Sequence, residues 1–192
     1  MSFFQTNAIT EFFPTSREAH ASSRDAAIEA EVLALFDLLR IRLFRYVVSF
    51  SLSTQDSEDI VQEVFLALFS HLQANGSRSN LQAWLYRVAH NLALKRRMMN
   101  RRLESGFNVD ERCLELAADP HPNAEQQFAF QARQAGLMAI VHALPDQDER
   151  CLRLRAEGLK YREIAAVLGI SLGGVSLSLT RSLERLRRGD WG

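Results

Sequence analysis

The stretch from Arg162 to Arg188 holds the residues whose types and spacing most clearly suggest chemistry, and that chemistry is nucleic-acid binding. Its sequence, REIAAVLGISLGGVSLSLTRSLERLRR, predicts two short helices joined by a tight turn. Gly169 stands where a left-handed residue is needed, and Ser171 is a natural cap for the second helix. The first turns of such a helix can enter the major groove of DNA. The alternative is a packing motif that binds nothing.

The second of these helices is predicted to have one packed face and one face directed at DNA. Val175, Leu179, Leu183 and Leu186 recur at helical spacing and predict the packed face. On the other face, glycines allow close backbone approach, the helix N-terminus offers amides to a phosphate, and Leu177 can touch a thymine methyl. The predicted DNA contacts of this unit are Lys160, Arg162, Leu172, Gly173, Gly174, Ser176, Leu177, Thr180 and Arg181.

A second candidate for nucleic-acid binding follows the polar loop NGSRSN at residues 75–80. Trp84 and Tyr86 lie near the start of the next predicted helix, and cations crowd its end, namely Lys95, Arg96, Arg97, Arg101 and Arg102. Such a pattern suits single-stranded DNA, because stacking on a ring contributes ~1–3 kcal/mol per base while cations hold the backbone. Core packing is the alternative for Trp84, and we expect it to be the main role of that ring.

The segment DSEDIVQEVFLALF predicts a helix with an acidic face. Asp59, Gln62, Glu63 and Leu66 follow the spacing that places residues on one side of a helix. The core side is predicted to hold Ile60, Val64 and Leu68, and Asp56 or Ser57 is predicted to cap the helix. An acidic face that contains a leucine suits a basic groove on another protein. From this helix alone, plain solvation explains the face equally well.

These stretches need an all-α scaffold of two small helical domains joined by a linker, with the helix-turn-helix in the second domain. Helical periodicity runs from Ile28 to Val47, and a long helix with a buried stripe of Trp84, Leu85, Val88 and Leu92 is predicted from about Leu81 to Arg102. The predicted division is an N-terminal arm at 1–24, a first domain at 25–105, a linker at 106–123 and a second domain at 124–192.

Charge alternates along the chain although the formal net charge is zero. Residues 1–75 carry ten acids and five bases, whereas residues 76–105 carry one acid and seven bases. Residues 106–150 carry eight acids and three bases, and residues 151–192 carry four acids and eight bases. Two acidic and two basic blocks predict two kinds of partner surface.

Catalysis, metal binding and membrane insertion find no support in the sequence. The five histidines have no metal-ligand spacing with Cys113 and Cys151, so we predict no metal, no cofactor and no enzyme activity. We expect His90 to flank the nucleic-acid-facing helix. The N-terminus lacks the basic segment and apolar run of a signal peptide, no apolar run is long enough to span a membrane, and two separate cysteines suit a reducing compartment. A cytoplasmic protein is therefore expected.

Taken together, DSEDIVQEVFLALF, LQAWLYRVAHNLALKRR and the segment from Ala143 to Arg188 resemble a bacterial RNA polymerase sigma factor of the sigma-70 class, in its extracytoplasmic-function group. The three segments occur in the order typical of the family, which makes the resemblance more specific than any single motif. The resemblance implies a protein that is not an enzyme and that lends promoter specificity to core RNA polymerase. It also leaves an anti-sigma factor open as a further partner.

The resemblance assigns a role to each surface. The polymerase-binding residues would be Asp56, Asp59, Gln62, Glu63 and Leu66. The −10 promoter element would be bound and opened by Asn75, Arg78, Asn80, Trp84, Tyr86, Arg87, Asn91, Lys95, Arg96 and Arg97. The helix-turn-helix contacts named above would read the −35 element.

The chain departs from the family at the tip of its second helix. Gly174 stands where a threonine is usual, and Ser176 and Ser178 stand where basic residues are frequent. Fewer cations should weaken phosphate contacts and their salt dependence. Two other functions therefore stay open. One is a helix-turn-helix regulator that acts without polymerase, and the other is a polymerase-binding protein with weakened DNA reading.

Overall fold

The computed structural model describes residues 16–104 and 136–188, with side chains described for residues 24–103 and 136–188. Every regular element in these ranges is a helix, as predicted. The N-terminal unit consists of α1 (Ser16–Val48), α2 (Thr54–Gln73) and α3 (Leu81–Glu104). The C-terminal unit consists of α4, described over residues 136–142, and of α5 (Asp146–Ala156), α6 (Tyr161–Leu168) and α7 (Leu172–Arg188). The predicted linker at 106–123 lies outside the described residues.

Helix α1 supplies one wall of the core of the N-terminal unit and packs mainly on α2. Ile28, Leu39, Leu43 and Val47 are buried, in agreement with the helical periodicity predicted from Ile28 to Val47, and Val32 and Leu35 are partly buried against the same core. The helix runs unbroken through the predicted boundary between residues 24 and 25. Ser22 and Asp25 have the spacing of a capping pattern at that boundary, but the helix passes through them and extends into the segment predicted to be an arm.

Helix α2 begins earlier than predicted, because Ser53 caps it. The Ser53 hydroxyl accepts a hydrogen bond from the backbone amide of Asp56 at 3.0 Å. Asp56 is therefore in the first helical turn, where the helix dipole favours an acid, and Ser57 is fully buried. The prediction that Asp56 or Ser57 caps the helix is wrong. The predicted core residues Ile60, Val64 and Leu68 are all buried, as expected from their spacing.

Helix α3 buries a different stripe from the one predicted. Leu85 is fully buried, but Trp84, Val88 and Leu92 are only partly buried. The fully buried positions are instead Tyr86, Ala89 and Ala93, next to Leu85. The buried face of α3 thus combines two large side chains, Leu85 and Tyr86, with two small alanines.

His90 lies in the core, so the prediction that it flanks a nucleic-acid surface is wrong. Its side chain is 5% exposed and packs edge-on against the ring of Phe50. The Tyr46 hydroxyl oxygen lies 2.9 Å from Nδ1 of His90, within hydrogen-bond distance. Burial, and secondarily the positive charge of Arg150, lower the pKa of His90 to about 4.

This buried imidazole should make the protein less stable in mild acid. The unfolded chain takes up a proton near pH 6.5, whereas folded His90 takes it up only near pH 4, so stability falls as pH is lowered through that window. Between pH 7 and pH 5 the loss due to His90 should be about 2 kcal/mol. Urea unfolding at both pH values measures it. His90→Gln should lose less stability than the native chain over this interval, and His142→Gln, at an exposed histidine, should lose as much.

The turn of the C-terminal unit has the predicted geometry. Gly169 ends α6 in the left-handed region at φ 67°, and Ser171 caps α7 by accepting a hydrogen bond from the amide of Gly174 at 3.0 Å. The packed face of α7 is different from the prediction, since Leu183 is 53% exposed and Leu186 is only partly buried. The face that packs inward contains Val175, Ser178, Leu179 and Ser182.

Two serines are buried on α7 because their hydroxyls have hydrogen-bond partners. Ser182 donates to the backbone carbonyl of Ser178 at 2.8 Å, and the amide of Gln147 donates to the Ser178 hydroxyl at 3.1 Å. A buried hydroxyl that is satisfied in this way costs little, so a polar residue can lie on the packed face. Apolar periodicity alone could not identify these two positions.

The two units pack against each other, with α3 against α6, and their buried apolar residues form one continuous cluster. This contact is not predicted from the sequence, because the linker indicates two separate domains. No single described helix is long and apolar enough to cross a membrane; only α6 and α7 taken together, bent by 104°, satisfy the length and composition criteria. Within the described ranges, His, Cys, Asp and Glu side chains form no cluster of three that could hold a metal ion.

Candidate nucleic-acid interface

The outward face of α7 and the start of α6 carry the predicted duplex contacts of the C-terminal unit. Gly174 is partly buried beside the Ser171 cap, and the other eight residues are exposed. Leu172 and Leu177 are 47% and 56% exposed among the residues that the structure describes. These side chains lie in the first two turns of α7, where the Ser171 hydroxyl accepts from the amide of Gly174. The geometry therefore allows the end of α7 to approach a groove.

Arg181 is the first cation along α7, and a buried carboxylate orients it. The Asp148 side chain is 3% exposed and accepts a hydrogen bond from Arg181 at 2.8 Å. Half of the Arg181 side chain remains exposed, so the guanidinium lies at the surface in a fixed orientation. Asp148 was not predicted as part of this site, and nothing in its local sequence indicates the contact with a residue 33 positions later.

Helix α3 presents a stripe of polar side chains that continues from the α2–α3 loop at residues 74–80. Arg87, Asn91 and Lys95 are exposed and recur every four residues, so they lie on one side of the helix. Trp84 lies one turn before this stripe and is partly buried. Cations spaced along one helical face, next to a loop and an aromatic ring, match the requirements for binding a nucleic-acid strand.

Arg96 faces away from this stripe and forms an ion pair with Asp56 of α2. Asn100 donates to the same carboxylate at 2.9 Å. Burial acts to raise the pKa of Asp56, but the hydrogen bonds from Asn100 and Arg96 outweigh it and lower that pKa below its ordinary value. Asp56 therefore ties α2 to α3, and both Asp56 and Arg96 are engaged within the N-terminal unit.

Several predicted strand contacts are engaged in other pairs. Arg78 forms an ion pair with Glu31 at 3.0 Å, and Asn75 accepts a hydrogen bond from Arg24. Two others contact the C-terminal unit: Asn80 donates to Glu163 at 2.8 Å, and Arg97 to Asp146 at 2.8 Å. The hydrogen bond from Arg97 holds the pKa of Asp146 below its ordinary value. Two side chains predicted to bind DNA, Asn80 and Arg97, therefore donate hydrogen bonds to carboxylates of the C-terminal unit.

Tyr86 requires a correction. Its side chain is fully buried and packs edge-on against Tyr46, with the ring centroids 5.4 Å apart. The ring cannot contact DNA in this arrangement, and burial raises the pKa of the hydroxyl well above its ordinary value. Its neighbour Trp84 remains partly exposed, so of the two predicted aromatic residues only Trp84 is available for stacking.

The predicted protein-binding residues of α2 share an exposed face. Asp59, Gln62 and Glu63 are exposed, and Leu66 is 68% exposed at the centre of their side of the helix. This set is called the acidic face below. A leucine that is two-thirds exposed among acidic neighbours suits a partner with apolar and basic groups. Asp56 lies one turn earlier and faces α3, so it does not belong to the acidic face.

Glu157 is a residue of the interface between units that the sequence analysis missed. Arg42 of α1 forms an ion pair with its carboxylate, and both Arg42 and Gln82 donate to its backbone carbonyl, at 3.0 and 2.9 Å. Arg150 of α5 also lies over the ring of Phe50, 4.6 Å from its centroid. These contacts join residues far apart in sequence, so no local pattern could have indicated them.

Comparison with known proteins places both units in one family. The family model described as sigma-70 region 2 matches residues 35–103, and the model described as sigma-70, region 4 matches residues 134–186. The ECF RNA polymerase sigma factor SigE of Mycolicibacterium smegmatis is 31% identical over 147 residues, which cover 76% of this chain and 56% of that protein. The chain thus spans just over half of the length of that relative.

Two further comparisons agree with this assignment. The ECF RNA polymerase sigma-E factor of Escherichia coli is 28% identical over 160 residues, covering 79% of this chain and 84% of that protein. The structure of the sigma factor RpoE in complex with the anti-sigma factor NepR, from Bartonella quintana, has a similar fold, with a TM-score of 0.62 at 20% identity and coverage of 83% and 93%. Since both family models match in the order region 2 and then region 4, the chain belongs to the sigma-70 family, in its extracytoplasmic-function group.

Proposed function

We propose that this chain binds core RNA polymerase through the acidic face of α2 and directs it to promoters. The exposed stripe of α3, together with Trp84 and the α2–α3 loop, binds the −10 element as it opens. The outward face of α7 contacts the −35 duplex. The chain itself catalyses no reaction in this scheme, and it acts in the cytoplasm, where polymerase and promoter DNA are found.

The observation that carries the proposal is the separation of the three surfaces. The acidic face lies on α2, the cationic stripe on α3 and the outward face of the recognition helix on α7, and no residue belongs to two of them. A protein that binds only duplex DNA would need α7 alone. The acidic face with its exposed leucine suits binding to a large partner that has basic and apolar groups. The aromatic and cationic residues of α3 suit binding to a second stretch of DNA at the same time.

The relation between the two units adds a conformational step. Asn80 and Arg97 donate to Glu163 and Asp146, so two carboxylates lie next to the groups that would bind DNA phosphates or bases. In this arrangement α6 also packs against α3. Binding of the −10 element therefore requires the units to separate, and polymerase, which binds the acidic face, supplies free energy for that separation.

The decisive experiment is in vitro transcription from a promoter library by core polymerase with and without the chain. We expect start sites that occur only when the chain is present, with two conserved blocks upstream of each. Binding of the chain to duplex DNA without polymerase, together with no new start sites, would instead support the regulator that acts alone. Association with polymerase and no new start sites would support the protein with weakened DNA reading.

Neutralising the contacts between the units should improve DNA binding by the chain alone. The triple variant Asp146→Asn, Glu157→Gln, Glu163→Gln neutralises the carboxylates that accept from Arg97, Arg42 and Asn80. Each exposed pair contributes up to ~1 kcal/mol, so the affinity for a single-stranded −10 oligonucleotide should rise about tenfold. The control Asp25→Asn, Glu29→Gln, Asp37→Asn makes the same charge change at exposed sites on α1. Equal affinities of the two triple variants, measured by fluorescence anisotropy, would refute the closed arrangement.

We also propose an anti-sigma factor as a partner. The similar fold of the Bartonella quintana sigma factor is seen in a complex with the anti-sigma factor NepR. The exposed apolar residues of α7, Leu172 and Leu177, and the exposed Leu66 of α2 offer surface to such a protein. Co-purification of the tagged chain from its native cells, with and without a Leu66→Lys substitution, tests this partner.

A further inference from the structure

His71, in the last turn of α2, contacts both the backbone of the α2–α3 loop and the ring of Trp84. Its Nε2 atom lies 3.0 Å from the backbone carbonyl oxygen of Ser77, in the middle of the loop. A carbonyl only accepts, so Nε2 carries the hydrogen and donates it. The imidazole also stacks on the ring of Trp84, with the centroids 4.7 Å apart and the planes at 29°. One side chain therefore fixes the loop and the aromatic ring relative to each other.

Gly76 allows the loop to pass directly over this imidazole. A Cβ atom at this position would lie 2.2 Å from Cε1 of His71 and 2.4 Å from both ring nitrogens, a separation that no side chain can accept. The Gly76 amide donates to the carbonyl of His71 at 2.8 Å, and the amide of Asn75, at φ 57°, donates to Leu72 at 3.1 Å. This pair of bonds is a Schellman ending of α2, and it brings the chain back over the last helical turn.

The loop and Trp84 line one side of an open cavity of about 330 Å³. The residues of the N-terminal unit that line it are His71, Ser77, Ser79, Asn80, Ala83, Trp84 and Arg87. The remaining wall is formed by Glu163, Ala166 and Val167 of α6, so the cavity opens when the units separate. The shape of its N-terminal wall depends on the position of the Ser77 backbone and on the tilt of the Trp84 ring, and His71 sets both.

We propose that His71 is the positioning residue for −10 sequence selection: it holds the α2–α3 loop over Gly76 and orients Trp84, so that the cavity between them accepts some bases and not others. This inference rests on the proposed function, because that function assigns the loop and α3 to the −10 element. It adds a residue outside the loop and outside the cationic stripe, and it explains why a glycine follows Asn75.

The test uses three variants, each of which removes one part of the arrangement. His71→Phe keeps an aromatic ring next to Trp84 and removes the Nε2 donor. His71→Asn keeps a donor and removes the ring. Gly76→Ala forces the loop and the imidazole apart. His142→Phe makes the same substitution at an exposed histidine of the C-terminal unit and serves as the control.

Each variant is combined with core polymerase and used to select from a pool of forked duplexes that carry a randomised single-stranded hexamer. The native holoenzyme should enrich a defined hexamer. For His71→Phe and Gly76→Ala, the affinity for this hexamer divided by the affinity for the unselected pool should be about two- to tenfold lower than for the native holoenzyme. This is the range expected for the loss of one hydrogen bond. His71→Asn should broaden the selected sequences, and affinity for core polymerase should remain within about twofold for all variants. Unchanged selection by all three variants would overturn the proposal while leaving the proposed function intact.

A second measurement on the chain alone does not depend on promoter binding. Amide hydrogen exchange in residues 77–80 should be faster in His71→Phe and Gly76→Ala than in the native chain and in His142→Phe. Trp84 emission should shift in His71→Asn when Trp191, the only other tryptophan, is replaced by Phe. If the native holoenzyme selects no hexamer, the proposed function fails. Faster exchange would then still support the positioning of the loop by His71, and unchanged exchange would overturn it.

Discussion

The double substitution Asp59→Lys, Gln62→Ala should abolish binding to core RNA polymerase and leave the fold intact. Both side chains are exposed on the acidic face and form no part of the core. The exchange replaces one attraction to a basic partner with a repulsion and removes a neighbouring amide. Loss of a close charge pair at an interface costs ~2–5 kcal/mol, so affinity should fall on the order of a hundredfold or more. Surface plasmon resonance with immobilised core polymerase measures the change.

Asp37→Lys is the matched control, because it introduces the same charge at an exposed position of α1. This variant should bind polymerase with nearly native affinity, and the melting temperatures of all three proteins should agree within a few degrees. If the double variant retained native affinity, the acidic face would not be the polymerase contact, and the proposed function would lose its anchoring step. If it lost affinity together with its helical circular dichroism, the loss would reflect unfolding.

Features governed by neighbouring residues could be predicted from the sequence. The acidic face of α2 follows from the four-residue spacing around Asp59, and the turn before α7 follows from Gly169 and Ser171, whose backbone and capping preferences are local. The resemblance to the sigma-70 family then indicates polymerase binding for the acidic face and −35 binding for the helix-turn-helix. The order of helices and the all-α class needed no information about which helices pack together.

Features governed by distant partners could not be predicted. Tyr86 and His90 have the sequence context of a nucleic-acid-binding helix, yet both are buried because Tyr46 of α1 and Phe50 in the turn after α1 pack on that side of α3. Ser178 is buried through its hydrogen bond from Gln147, although its hydroxyl suggested an exposed position. This burial changes the expectation for DNA binding. Of the two serines at positions where basic residues are frequent in the family, only Ser176 lies on the outward face of α7, so that face has one cation fewer, not two.

The pairing of the two units is the largest feature that sequence reasoning did not anticipate. Glu157 follows α5 and lies in no recognisable motif, but it accepts hydrogen bonds from Arg42 of α1 and Gln82 of α3. These contacts form only when the two units are packed together, with Glu163, Ala166 and Val167 of α6 across the cavity from the α2–α3 loop. Charge alternation along the chain was interpreted as two kinds of external partner surface. In the structure, part of that alternation is satisfied internally, since Arg42 and Arg97 meet acids of the C-terminal unit.

Reversing the charge of the α3 stripe should separate polymerase binding from promoter opening. In the variant Arg87→Glu, Lys95→Glu, two exposed cations that would face phosphates become anions. Each phosphate contact on a single strand contributes about 0.7 to the slope of log affinity against log salt, so the slope should become less steep by about 1.4. Affinity of the holoenzyme for the −10 strand should fall on the order of a hundredfold, since repulsion replaces attraction at two points.

The reversal at Arg40 and Arg45 of α1 makes the same change in total charge and should leave promoter opening nearly native. Permanganate footprinting of open complexes and anisotropy titrations at several salt concentrations provide the two readouts. Polymerase affinity should be unchanged in both variants, because the acidic face is untouched. A salt slope that stayed at its native value in Arg87→Glu, Lys95→Glu would mean that neither cation contacts a phosphate, and the strand would then have to lie along another face of α3.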